Sequence, residues 1–154
     1  MTVDNIQLEF ALELRVTVAA IEELGPTPKG LRRVIPITGG TFEGPAIRGE
    51  VVPGGFDWQI GRADGVTDLE ARYLLRTDDG VTITIVNQGL RHGPREVMQR
   101  LAQGMNVDPS EYYFRSIPVF ETADERYAWL NKHIFVATGS RQPDHVLIQV
   151  YKVL

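Results

Sequence analysis

The sequence predicts an all-β fold, an antiparallel barrel or sandwich that carries one helix. Three observations predict it. Short runs of alternating apolar and polar residues recur along the chain. Glycine- and proline-rich punctuation separates them. Apolar residues at helical spacing occur once, between Pro94 and Gln103. The tally is about nine or ten short strands in a single domain, a pattern that closes on itself as a barrel or folds as a sandwich.

Phe10 to Val18 opens the series, with Phe10, Leu12, Leu14, Val16 and Val18 on one face and Ala11, Glu13, Arg15 and Thr17 on the other. Residues 25–30 (GPTPKG) read as a loop, and Leu31 to Thr38 as a second strand in which Pro36 suggests an edge or a bulge. Glycines at 39, 40 and 44 mark a bend before a strand from Ala46 to Val52. Pro53-Gly54-Gly55 separates it from Phe56 to Ile60. Leu69 to Arg76 puts Leu69, Ala71, Tyr73 and Leu75 on one face, then Asp79-Gly80 turns the chain as a two-residue hairpin signal. The following strand places Val81, Ile83 and Ile85 on its inner face, and the same parity continues as Asn87, Gly89 and Arg91.

The predicted helix starts with Pro94 in its first turn, carries Val97, Met98, Leu101 and Ala102 on one side, and stops at Gly104. Tyr112 to Glu121 returns to strand, and Ala123 to Leu130 forms a helical turn capped by Asp124. Lys132 to Thr138 and Val146 to Val153 complete the sheet.

Composition excludes several functions. The 154 residues carry a net charge of −4, which gives no basic footprint for nucleic acid or an anionic membrane surface. Cysteine is absent, which removes disulfides, thiol catalysis and cysteinyl metal sites. The chain start, TVDNIQLEF after Met1, lacks a leader pattern, and no apolar run reaches membrane-spanning length. A cytoplasmic protein is expected. His92, His133 and His145 are widely spaced, so no metal is expected. No serine-hydrolase, dinucleotide or P-loop motif occurs, so no cofactor is expected either.

What remains is a set of polar residues on parities where core residues belong. Asn87 and Arg91 interrupt the apolar row of their strand, and Tyr73 lies on the apolar face of the strand before it. Arg115 shares parity with Ile117 and Val119, and Glu121 extends that row. Glu43 shares parity with Ile47 and Val51, with Pro45 able to reset the register. Asp57 and Trp58 follow the Gly54-Gly55 pair. Such groups inside a barrel either pair with one another or orient a ligand. Arginine clamps an anion, Asn or Tyr donates to a carbonyl, and Asp or Glu moves a proton.

A set of fragments in order, GGFDW (54–58), RY (72–73), TDDG (77–80), NQG (87–89), YFR (113–115), FET (120–122) and RYAWLN (126–131), resembles the bacterial and fungal "domain of unknown function 3237" family. The resemblance implies a compact lipocalin-like or calycin-like antiparallel barrel with a helix near one end, and a barrel of the expected 8–10 strands can enclose one small ligand. It implies no settled activity. It carries Asp57, Trp58, Tyr73, Asn87, Arg115, Glu121 and Trp129 as motif members. The expected function is small-molecule binding, with cofactor-free proton-transfer chemistry of the isomerase, cyclase or hydro-lyase type. Asp57, Glu121 and Arg115 are the catalytic candidates, and Asn87, Arg91, Tyr73, Trp58, Trp129 and Glu43 the substrate-binding ones. A ligand carrier without turnover, or a structural oligomer-forming protein, is the alternative. The expected partners are a small-molecule ligand and further copies of the chain, as a homodimer or larger assembly.

Overall fold

Successive strands pair with their neighbours as an antiparallel meander, and the first strand then closes the ring. The structure, a computed structural model, describes residues 5–154. The start of the chain, read above as lacking a leader, therefore lies in part (residues 1–4) outside the described residues. The strands are β1 (Leu8–Val18), β2 (Glu22–Thr27), β3 (Gly30–Gly44), β4 (Ile47–Gly61), β5 (Thr67–Thr77), β6 (Thr82–His92), β7 (Tyr113–Glu121), β8 (Phe135–Arg141) and β9 (Val146–Val153). Their order is β1-β9-β8-β7-β6-β5-β4-β3-β2, and β1 also pairs with β3. Eight strands thus form a closed barrel, and β2 lies outside it as an extra strand on β3. No helix among the described residues is long and apolar enough to cross a membrane.

Closure depends on how near β1 can come to β3. Gly40, at φ +132°, faces Val16 across this seam, and a Cβ there would stand 2.0 Å from the Arg15 carbonyl oxygen. Only glycine admits that approach.

The core fills the barrel with inward residues from every closing strand, among them Leu12, Leu14, Leu75, Ile83, Ile85, Phe120, Phe135 and Val150. The one α-helix among the described residues, α1 (Arg95–Ala102), follows β6 and buries Val97 and Leu101 at the end of the barrel where Arg91 stands. A 3₁₀ segment, Glu125–Asn131, closes the opposite end, and the Asp124 carboxylate caps it by accepting from the Arg126 N–H at 2.9 Å. The segment fills the space beside β7 and β8, which pair only at Arg115/Thr138 and Ser116/Ala137.

Several expectations need correction. The GPTPKG stretch is not all loop: β2 forms a hairpin with β3 there, and its turn uses Gly30 at φ +133°. The two strands expected on either side of Pro53-Gly54-Gly55 are one strand, β4, bulged at that point. The Asp79-Gly80 turn is a three-residue loop in which only Gly80 has positive φ, closed by Gly80 N–H and Thr77 N–H bonds to Thr77 and Val81 carbonyls. Phe10 points outward, because a bulge against β9 shifts the register between Phe10 and Leu12 and turns Ala11 inward instead.

Candidate functional site

The inward-facing polar residues gather at one end of the barrel. Register fixes the rows there. Ile35, Asp57, Ala71, Asn87 and Pro118 are cross-strand neighbours in one row. Arg33, Gln59, Leu69, Gly89, Ser116 and Ala137 form the next. Thr67, Arg91 and Phe114 follow, nearest the helix. Arg141 continues the inward parity of Phe135, Ala137 and Gly139 on β8.

Between these rows lies an interior cavity of about 60 Å³. One wall is polar, made by Asp57, Tyr73, Asn87 and Ser116; the facing wall is apolar, made by Val16, Val18, Ile37, Val146 and Ile148. Such a volume holds about two water molecules or the few heavy atoms of one functional group. Among the described residues five buried polar atoms at this end have no partner: Arg33 Nε, Asp57 Oδ1, Gln59 Oε1, Asn87 Oδ1 and Ser116 Oγ. Three of their residues, Asp57, Asn87 and Ser116, share the polar wall of the cavity. Native proteins leave few such atoms, so a cluster on one wall marks a place that water or a ligand completes.

Asp57 is the only carboxylate in these rows. Its Oδ2 accepts from Gln59 Nε2 at 2.8 Å. Burial pushes its carboxyl above the usual range, and the Gln59 bond and the charges of Arg91, Arg141 and Arg33 only partly oppose this. Burial, and then the Asp57 charge, push the Tyr73 phenol up as well, so it keeps its proton. Arg91 is 8% exposed, and burial together with the Arg141 charge brings its guanidinium down to about 10. It lies over the Phe114 ring at 5.6 Å. Arg33 reaches Thr67 Oγ1 at 3.4 Å, and its Nε is buried without a partner.

Four predicted residues, Asp57, Tyr73, Asn87 and Arg91, are thus brought together. The others are not. Arg115 and Glu121 face outward, because β7 turns Phe114, Ser116, Pro118 and Phe120 inward instead. Glu43 is exposed, since the turn at Pro45-Ala46 resets the register between β3 and β4. Trp58, next to Asp57 on a strand, necessarily points the other way and is 43% exposed. Trp129 sits in the 3₁₀ segment at the far end, against Phe135 and Lys152. Sequence reasoning missed Arg33, Gln59, Ser116 and Arg141. Parity with Ile35 and Ile37 was the signal available for Arg33, and parity with Asp57 for Gln59.

A larger recess, about 1120 Å³, lies on the outer face, lined by Phe10, Trp58, Leu90, Tyr113, Ile117 and Tyr151 among others. Arg115 borders it, with its guanidinium over the Tyr113 ring at 5.5 Å. The charged and amide side chains that line it, Lys29, Arg32, Asp68, Glu70, Gln88 and Arg115, are exposed or half-buried, so size alone does not make it the reactive site. Among the described residues no group of three or more His, Cys, Asp or Glu converges as a metal site would require.

Known proteins share this architecture over its full length. A "UPF0311 protein" of Bradyrhizobium diazoefficiens is 41% identical over 150 residues, covering 97% of this chain and 98% of its own. The crystal structure of a conserved protein of unknown function from Rhodopseudomonas palustris superposes with a TM-score of 0.95 at 38% identity, covering 99% of this chain and all of that one. A structure described as an enzyme from Penicillium herquei shares the fold with a TM-score of 0.75 at 21% identity, over 100% of this chain and 98% of that one, a likeness of fold alone. The sequence pattern of the family described as "Protein of unknown function (DUF3237)" matches residues 6–153, and the chain belongs to that family.

Proposed function

We propose that this barrel is a cofactor-independent enzyme that moves a proton on a small carbonyl compound, with Asp57 as the acid–base group. The observation that carries the reading is the Asp57 carboxyl itself. It lines the interior cavity, one oxygen is fixed by Gln59, and the other is buried without a partner. A carboxyl whose proton affinity is raised by burial is a stronger base than an ordinary aspartate and is better able to take and return a proton.

The neighbours fit the remaining demands. Abstraction of a proton next to a carbonyl breaks a C–H bond, forms an O–H bond on Asp57 and leaves the electron pair on the substrate as an enolate. The developing oxyanion needs donors already in place, and the Asn87 amide and the Tyr73 hydroxyl, which line the cavity beside Asp57, supply them. Return of the proton to a different atom completes an isomerisation, or a cyclisation or water elimination where the substrate carries the nucleophile or leaving group. The apolar wall of Val16, Val18, Ile37, Val146 and Ile148 excludes water from the carbanionic intermediate.

That same apolar wall supports the second reading, a carrier that binds without turnover. Deuterium exchange separates the two. Small 2-oxo and 3-oxo compounds are incubated in D2O, and exchange of the proton next to the carbonyl is followed by NMR. Wild-type protein should accelerate exchange above buffer, and Asp57→Asn should lose that acceleration by a factor of 10² or more. Saturable binding of these compounds without exchange overturns the enzyme reading in favour of the carrier.

A further inference from the structure

We propose that the ligand of this cavity is a small organic anion, a carboxylate or an acidic enol, whose charge is held at the barrel mouth by Arg33, Arg91 and Arg141. The inference builds on the cavity above; only the direction in which the ligand points depends on Asp57 being the acid–base group.

The first observation is an imbalance of charge. Three arginines follow inward parity at one end of the barrel, and the inward rows beside them contain one carboxylate, Asp57. None of the three arginines is ion-paired among the described residues, whereas other arginines of the chain, Arg48, Arg62 and Arg126 among them, are. The chain as a whole carries a net charge of −4, so the cluster runs against the overall charge balance. A guanidinium withdrawn from water without a counter-charge is costly. Keeping three together is understandable where an anion completes them.

The second observation is how Arg91 is held. Its guanidinium lies over the Phe114 ring at 5.6 Å, and it donates no side-chain hydrogen bond among the described residues, so its N–H groups are free to take a carboxylate. Phe114 owes its place to a missing side chain on β8. A Cβ at Gly139 would stand 2.6 Å from the Phe114 ring, so the glycine makes room for the ring that carries Arg91.

The third observation is size. The cavity of about 60 Å³ accepts one functional group and not a whole metabolite. A ligand that puts a carbonyl and its neighbouring carbon beside Asp57 must leave its remaining atoms toward Arg33, one row nearer the mouth, and Arg91, two rows nearer. A charged group there meets the arginines, and the reacting end stays in the drier part of the barrel. The arrangement selects acids over their esters and orients them by charge.

The test uses thermal stabilisation of the intact protein by formate, acetate, propanoate, acetoacetate and benzoate, each against chloride at equal ionic strength. The neutral counterparts are methyl acetoacetate and benzamide. At least one carboxylate should stabilise the protein saturably, and its neutral counterpart should bind tenfold or more weakly. Arg91→Met should abolish the shift, Arg33→Met and Arg141→Met should weaken it, and Arg91→Lys should restore part of it. Asp57→Asn should bind the same anion as well as wild type or better, because it removes the one negative charge beside the site. No saturable carboxylate shift, equal binding of acid and ester, or an unchanged shift in Arg91→Met overturns the inference. Anion binding without deuterium exchange leaves it standing and removes the acid–base reading. Exchange on neutral ketones alone does the reverse.

Discussion

The two ends of this barrel use similar residues to opposite effect. At the end closed by the 3₁₀ segment, Asp79 accepts from Thr77, from the Tyr127 hydroxyl at 2.9 Å and from Arg126 at 2.8 Å. Arg126 also binds Asp124 through two nitrogens, and Asn131 bonds both the N–H and the carbonyl of Thr122 at 2.9 Å. Asp79, Asp124 and Arg126 are thus all paired with one another or their neighbours. At the helix end, Asp57, Arg33 and Arg91 stand together with orphaned atoms beside them. Proton affinities follow the same division. Hydrogen bonds from Thr77 and Tyr127, with Arg126 nearby, hold the Asp79 carboxyl below its ordinary range, while burial holds that of Asp57 above it. Polarity therefore does not distinguish a site from a structural network. Incomplete pairing does.

Substitutions should break the comparison in opposite directions. Arg91→Met is expected to raise the thermal midpoint, because it removes a guanidinium whose burial disfavours its charge. The gain should be on the order of 1–3 kcal/mol, or about 2–10 °C for a chain of this size. A lower midpoint would place Arg91 among the structural groups, and differential scanning calorimetry decides. Asp79→Ala should do the reverse, lowering the midpoint while leaving carboxylate-induced stabilisation intact, as a paired thermal-shift experiment reads out.

The pH dependence of stability sharpens the contrast. The ordinary value for both carboxyls is 3.8. Asp79, held lower when folded, contributes stability that is present above 3.8 and lost as pH falls through its folded value. Asp57, held higher when folded, contributes stability that is full below 3.8 and lost as pH rises through its folded value. Urea titrations across pH should therefore show Asp79→Ala flattening the acid limb and Asp57→Asn removing a decline above it. The smallest effects belong to the outward residues. Arg115→Ala, Glu121→Gln and Glu43→Gln should each change stability by less than about 0.5 kcal/mol and leave carboxylate binding unaltered.

The regions legible in the sequence are those where alternation runs unbroken. β6 pairs with β5 from Thr82 to Arg91 with no slip, so the parity that begins at Ile83 still holds at Asn87 and Arg91. β9 begins and ends where its apolar run does. β7 misled because both of its faces are apolar. Ile117 and Val119 are 54% and 65% exposed along the outer surface, so nothing in the pattern selected Phe114, Pro118 and Phe120 as the inner row. The family fragments misled differently. TDDG (77–80) and RYAWLN (126–131) belong to the paired end, where they keep the barrel shut. The unpaired end was only partly visible, because Arg33, Ser116 and Arg141 look like ordinary surface residues until the ring is closed.

The bulge in β4 carries a consequence of its own. Between Val52/Leu74 and Phe56/Arg72 the strand gains two residues on its neighbour, an even number. A pleated strand counts in twos, so an even gain leaves every later side chain on the face it would have had. An odd gain would exchange the two faces, sending Asp57 into solvent and Trp58 into the barrel. Presence or absence of the acid is thus a matter of arithmetic at Pro53-Gly54-Gly55. A one-codon insertion or deletion there that the bulge does not absorb would turn Asp57 out of the cavity without altering any of the residues that line it.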